Sequence, residues 1–175
     1  MHEDSLHEEQ LVAEERDRAV EQDVLGLQRP ISDLSQLQPI VDISPQTSIA
    51  EAVSTMSSKC VGCLLITDNQ QLVGLFTERD VLRRVVGQGV DESSTSVSEL
   101  MTPNPETLPI DSPLVFALQR MSVGGYRHIP LMNSDDMPVA VVSMRDIVEH
   151  IVSLYPREIL NLPEHPSQWM GRDGG

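Results

Sequence analysis

Aromatic side chains are nearly missing, at 3% of 175 residues, so aliphatic residues must do most of the packing. Cysteine is as scarce: only Cys60 and Cys63 occur, which excludes a disulfide framework. No apolar run approaches the roughly 20 residues of a membrane helix. The N-terminus lacks a basic stretch followed by an apolar one and so does not read as a secretory signal. Positive charge is in deficit, with 12 Lys and Arg against 27 Asp and Glu, a formal charge of -15. A chain this acidic repels phosphate backbones and anionic bilayers, so no nucleic acid or membrane partner is expected.

Catalytic signatures are missing too. There is no G-x-S-x-G, no P-loop and no G-x-G-x-x-G. The C-x-x-C of Cys60-Val61-Gly62-Cys63 enters a strand, where residues three apart point to opposite faces, so it reads as packing thiols. No second pair completes a zinc site. With no general base set beside a nucleophile, the expectation is a cytoplasmic protein that is not an enzyme.

What is present is a duplication. Ile31-Ser32-Asp33-Leu34 matches Val97-Ser98-Glu99-Leu100, and Ala52, Met56 and Ser57 recur as Ala117, Met121 and Ser122, 65 positions on. One extra residue in the second hairpin loop moves the offset to 66, so that Gly74 to Val81 (GLFTERDV) falls on Ala140 to Ile147 (AVVSMRDI). Each repeat predicts a short helix (48–57 or 113–122), a strand (61–67 or 126–132), a polar turn, a second strand (72–76 or 138–142) and a second helix (78–86 or 144–153). Strands apolar on both faces fit a sheet covered on both sides. The expected fold is α+β: two βαββα repeats, over 31–95 and 96–154, packed as an intramolecular pseudo-dimer.

Extensions flank the repeats. Residues 1–28 hold nine carboxylates against Arg16 and Arg18, a net charge of 2 − 9 = −7. Leu6, Ala13, Val20 and Leu27 recur every seven residues, compatible either with an amphipathic helix or with a solvated, partly helical tail. From Tyr155 a tail with Pro156, Pro163 and Pro166 excludes a long helix.

Each second helix begins with a hydroxyl residue and an Asp three positions later: Thr77-Glu78-Arg79-Asp80 and Ser143-Met144-Arg145-Asp146. Such a pair can serve helix capping alone. Its repetition behind matched strands, with an Arg that capping does not need, points to a ligand site. A helix start and a hydroxyl favour a phosphate, Arg79 or Arg145 adds a charge-assisted contact, and Asp80 or Asp146 accepts from a vicinal diol. Phosphate and ribose together make a nucleotide. Arg83 and Arg84 extend a basic face that could reach a polyphosphate. Gly124-Gly125-Tyr126-Arg127-His128-Ile129-Pro130 permits close backbone approach and ends a strand's pairing. Arg127 and His128 are polar in an apolar strand, which suits a cleft as well as a satisfied structural position.

The strings MTPNPETLPIDSPLVFALQRM…GYRHIPL…AVVSMRDIV and ISPQTSIAEAVSTM…CLLITDNQQLVGLFTERDVL each resemble a CBS domain, the repeat first named in cystathionine β-synthase. The resemblance covers residues 31–153 and implies a pseudo-dimer with two clefts for AMP, ADP, ATP or S-adenosylmethionine, assembled as a disc-like homodimer that regulates a partner protein. It implies ribose at Asp80 and Asp146, phosphate near Thr77 and Ser143, and adenine at the backbone of Thr107 and Leu108, with Asp42 and Ile43 as counterparts. Tyr126, Arg127, His128 and Ile129 would wall the second cleft. The first repeat departs from the pattern, with Leu65 for Pro130, Gly62 for Arg127, and Lys59 and Cys60 for the glycine pair. The cleft around Ser143 and Asp146 is therefore the one expected to fill. The alternative function is an adaptor with vestigial clefts that docks a partner through its terminal extensions.

Overall fold

Ser48, ahead of the apolar run Ile49, Ala52 and Met56, starts a helix because its hydroxyl accepts from the Glu51 N–H at 3.3 Å while Glu51 accepts from the Ser48 N–H at 3.2 Å. Thr77 and Ser143 form boxes of the same kind with Asp80 and Asp146. A computed structural model describes residues 26–155; the acidic segment before residue 26, compatible with an amphipathic helix or a solvated tail, and the Pro-rich tail after Tyr155 lie outside the described residues.

A short 3-10 turn (Ile31–Asp33) precedes β1 (Asp42–Ile43), α1 (Ile49–Lys59), β2 (Cys63–Asp68) and β3 (Gln71–Thr77). Then α2 (Glu78–Asp80) widens into a π-helical stretch, Val81–Val85, in which the Val86 N–H donates to the Val81 carbonyl at 3.0 Å. An unbroken α-helix was expected there; the wider turn accompanies a buried Val85 and an Arg84 that reaches the carbonyls of Leu100 and Met101. The second half follows as α3 (Val97–Leu100), β4 (Thr102–Pro103), β5 (Leu108–Pro109), α4 (Leu114–Gly124), β6 (His128–Met132), β7 (Pro138–Ser143) and α5 (Met144–Leu154). The βαββα order and the strand ends match the expected repeats to within one or two residues.

Two sheets result, β1-β2-β3-β4 and β5-β6-β7. Corresponding pairs share register: Ile43 lies beside Ile66 as Leu108 lies beside Leu131, both parallel. Alternation sorts the side chains, as a period of two requires. Leu64 and Ile66 join Ile49, Ala52, Met56 and Phe76 in the first core, whereas Cys63 and Leu65, with Leu75 of the neighbouring strand, turn to Val141 of the other sheet.

The repeats do not close their own cores. Ile31, fully buried, packs into the second core with Leu114, Ile129, Leu131 and Ile147. Val97, equally buried, packs into the first. The main chain crosses with them. Free N–H groups at the start of α4 donate to the Arg29 and Leu27 carbonyls at 2.9 and 2.8 Å, and those of α1 donate to the Thr95 and Glu92 carbonyls, in the stretch leading into the second repeat, at 3.0 and 2.9 Å. β4 pairs with β3 of the first repeat, and Gln38 bridges Val141 of the second.

One strained position marks where the copies diverge. Both first helices end in the left-handed region, at Gly125 (φ 69°) in one copy and at Cys60 (φ 54°) in the other. Glycine adopts this conformation freely, while a side chain there costs about 1–2 kcal/mol. No helix among the described residues is long and apolar enough to cross a membrane.

Because Ile31 plugs a core built by the other repeat, Ile31→Ala should cost about 2–5 kcal/mol of stability in urea unfolding, as for a deep core position. A loss below about 1 kcal/mol would mean the second core closes without it.

Candidate functional site

Every buried apolar strand must hand its chain to a helix, and at Thr77 that handover is fixed by hydrogen bonds. The Thr77 hydroxyl donates to Asp80 Oδ2 at 2.7 Å, the Thr77 N–H donates to the same oxygen at 3.0 Å, and the Asp80 N–H returns one to the hydroxyl at 3.3 Å. Asp80 is 8% exposed, and its Oδ1 faces Arg84 Nε at 3.5 Å. Both second helices thus begin from a capping box whose carboxylate is buried, Asp80 in one copy and Asp146 in the other.

A cavity of about 550 Å³ lies against this box. Its other walls come from the second repeat: Asn104, Pro105 and Glu106 ahead of β5, and Gly124 through Arg127 ahead of β6 with His128 at its start. The Arg79 guanidinium crosses the seam, donating to the Gly125 carbonyl at 2.8 Å. Size and composition suit a nucleotide-sized ligand, since such sites usually span about 300–1,000 Å³.

This grouping corrects the expected one. Tyr126, Arg127 and His128 were assigned to the wall of the cleft around Ser143 and Asp146; they line the cavity of Thr77, Arg79 and Asp80 instead. The pseudo-twofold arrangement is the reason, because it sets the strand entry of one repeat opposite the helix start of the other. Ile129 belongs to the second core, and Pro130 is buried in register with Val141. Leu108 is also a core residue, with half-buried Thr107 before it. Ser143 and Asp146 are buried in their own box, the Ser143 N–H donating to Asp146 Oδ2 at 2.6 Å. Arg145 is exposed and tied to Glu149 at 2.7 Å. Asp42, the counterpart of Thr107, accepts from the Thr67 hydroxyl at 2.9 Å.

The glycine that broke the pattern has a steric reason. A Cβ on Gly62 would lie 3.2 Å from His128 Nε2 and 3.6 Å from Glu78 Oε2, so the first repeat keeps glycine where the second repeat's imidazole leans across. Burial lowers the His128 pKa, with Glu78 and Asp146 acting against it, so the ring stays neutral at pH 7. Burial drives the Cys63 thiol to about 12, with Glu78 and Asp146 adding to the effect.

The cavity's electrostatics run against the net charge of the chain. Arg84 is committed to Asp80 and to the Leu100 and Met101 carbonyls, and Glu106 is paired with Arg120 at 3.3 Å. Arg83 and Arg127 line the cavity, and their side chains make no hydrogen bond or ion pair among the described residues. Two uncommitted guanidinium groups beside an acidic acceptor make a site for an anion that also carries hydroxyls. Arg83, Asn104 and Glu106 were not among the sequence-predicted site residues, although the basic face that contains Arg83 was visible. Among the described residues, no cluster of His, Cys, Asp and Glu could hold a metal ion.

A sequence profile of the CBS domain matches residues 31–87 and again 97–153. The CBS domain-containing protein CBSCBSPB1 of Arabidopsis thaliana is 33% identical over 138 residues, 77% of this chain and 24% of that protein. The chain thus spans about a quarter of that relative's length. An uncharacterized conserved protein from Pyrococcus horikoshii has the same fold, with a TM-score of 0.65 at 27% identity, covering 78% of this chain and 98% of that one. A CBS domain protein from Pyrobaculum aerophilum, solved in complex with AMP, superposes with a TM-score of 0.62 at 24% identity, covering 71% and 98%.

The two thiols separate cleanly: Cys60 is exposed and Cys63 buried. At pH 8 a thiol reagent should label Cys60 alone in the folded chain and both residues in urea, since only an accessible thiolate reacts. Equal labelling of the two without denaturant would refute a packing role for Cys63.

Proposed function

The chain belongs to the CBS domain family, and on that premise we propose that it is a regulatory module, not an enzyme, that binds an adenine nucleotide in the cleft between its repeats. The observation that carries this reading is the pair of uncommitted cations, Arg83 and Arg127, lining one cavity with the Thr77–Asp80 box. In this reading Asp80 accepts from the ribose hydroxyls, Arg83 and Arg127 take the phosphates, and the backbone of Asn104 to Glu106 meets the base. His128 and Tyr126 fill the remaining wall. The AMP complex of the Pyrobaculum aerophilum protein supports the ligand class.

Charge decides between the adenosyl ligands. S-adenosylmethionine carries a sulfonium and an ammonium, both disfavoured beside Arg79, Arg83 and Arg127. AMP, ADP and ATP carry the opposite charge, so the nucleotides are the preferred class. The symmetry-related box of Ser143 and Asp146 lacks these cations: Arg145 is spent on Glu149, and Gly62 stands where the other copy has Arg127. Nucleotide binding is therefore assigned to the first cleft. A homodimer suits the exposed apolar residues on the helices, Phe116 and Val123 of α4 and Val148 of α5. Regulation then works by differential affinity for two arrangements of the repeats or of a cytoplasmic partner.

Calorimetric titration of the full chain with AMP, ATP and S-adenosylmethionine tests this. Nucleotide should bind, at least tenfold more weakly to Arg127→Ala and to Asp80→Asn and unchanged with Asp146→Asn. Arg127→Ala, which removes no partner among the described residues, should keep the wild-type melting temperature. No heat with either nucleotide, or S-adenosylmethionine as the sole binder, would overturn the proposal.

A further inference from the structure

The offset of 66 pairs Asp80, Arg83, Arg84 and Gly87 with Asp146, Glu149, His150 and Ser153, and Leu100, Met101 and Thr102 with Leu34, Ser35 and Gln36. In the first repeat this corner is full. Arg84 donates through Nη1 to the Leu100 and Met101 carbonyls at 2.6 and 2.9 Å, and its Nε sits 3.5 Å from Asp80 Oδ1. One guanidinium thus neutralises the buried carboxylate and ties the helix to the chain segment crossing from the other repeat.

In the second repeat the same corner is hollow. His150 is too short to do what Arg84 does, and a cavity of about 350 Å³ opens among Leu34, Ser35, Gln36, Asp146, Glu149, His150 and Ser153. Its charge has inverted as well, because Glu149 replaces Arg83. Among the described residues Glu149 meets Arg145 through Oε1 only, and Asp146 is bound by its own capping box without a cation like Arg84. His150 Nε2 is buried with no hydrogen-bond partner among the described residues, a condition rare enough in folded proteins to need an explanation.

We propose that this cavity is a binding site for a guanidinium group, which does for Asp146 and the carbonyls of residues 34–35 what Arg84 does for Asp80 and residues 100–101. The recognition chemistry is that of the first repeat: a planar donor fork shared between a carboxylate and backbone carbonyls. Two sources carry this chemistry. One is a free alkylguanidine. The other is an arginine of the chain's own N-terminal segment, Arg16 or Arg18, since the described chain begins at Gly26, where an added Cβ would lie 2.9 Å from His150 Nε2. The site is separate from the nucleotide cleft and holds whether or not that cleft binds AMP.

Agmatine titrated into the full chain, followed by the backbone amide resonances of Ser35 and Asp146, tests the site. The expected result is a saturable shift that Glu149→Gln weakens tenfold or more. His150→Arg should fill the corner from within, abolishing the agmatine shift and raising the melting temperature by about 2–4 °C. A free ligand as the natural occupant predicts equal agmatine affinity in wild type and Arg16→Gln/Arg18→Gln. Occupancy by the chain's own arginine predicts tighter agmatine binding in that double variant. No saturable shift in either protein, or agmatine binding unaffected by His150→Arg, overturns the proposal.

Discussion

Everything in this molecule depends on an exchange of leading segments. Ile31 enters the core of the second repeat and Val97 the core of the first. The same segments cap the other repeat's first helix by main-chain hydrogen bonds. Burying two β-branched side chains in this way gains about 1.5–3 kcal/mol each from the apolar surface alone, and the capping satisfies helix N–H groups that would otherwise lie unpaired. Neither half can therefore complete itself, and the sheets are held face to face through Leu65, Leu75 and Val141. The clefts are a consequence, because a groove lined from both halves exists only where the exchange has brought a helix start against a foreign strand entry.

Within that frame one motif serves two ends. Thr77 with Asp80, and Ser143 with Asp146, are first of all capping boxes, and each satisfies two backbone donors at a helix start. What separates the copies is the company each box keeps. Arg84 fills the corner behind Asp80, so Arg83 and Arg127 remain uncommitted at the cavity. Behind Asp146 the corner is hollow and the neighbouring charge is Glu149. Duplication supplied two equal scaffolds, and three changes, Arg84 to His150, Arg83 to Glu149 and Arg127 to Gly62 between corresponding positions, suffice to give them opposite electrostatic character.

Much of the fold was legible in the sequence because its signals are local. The short apolar runs such as Cys63 to Ile66, the capping boxes and the polar turns mark elements whose ends agree with the structure to within one or two residues. The match of Ile31 to Val97 was legible too, but nothing in either string says which core receives them, since apolar patterning identifies a buried residue without naming its partners. The same limit explains the misgrouped wall. Tyr126 to His128 follow the second repeat in sequence, yet the pseudo-twofold carries them to the box of the first. Arg83 read as a basic face, and its uncommitted state depends on the long-range contacts of Arg84. Cys60 gave no turn signal at all, although it takes the left-handed backbone that its counterpart Gly125 takes by composition.

The cavity's construction bears on how occupancy could be transmitted. Arg79 already joins α2 of one repeat to the Gly125 carbonyl of the other, and His128 leans over Gly62 within reach of Glu78. An anion drawn to Arg83 and Arg127 would add a further tie between the same two elements. Its binding energy would then favour arrangements in which the helix start of the first repeat stays close to the strand entry of the second. A ligand shifts a conformational equilibrium only by its difference in affinity between states, and a site shared between two bodies has that difference built in. A guanidinium at the opposite corner would act on the matching seam, between α5 and the segment after Ile31. The two seams are related by the exchange of leading segments, so a change at one alters the packing on which the other is built.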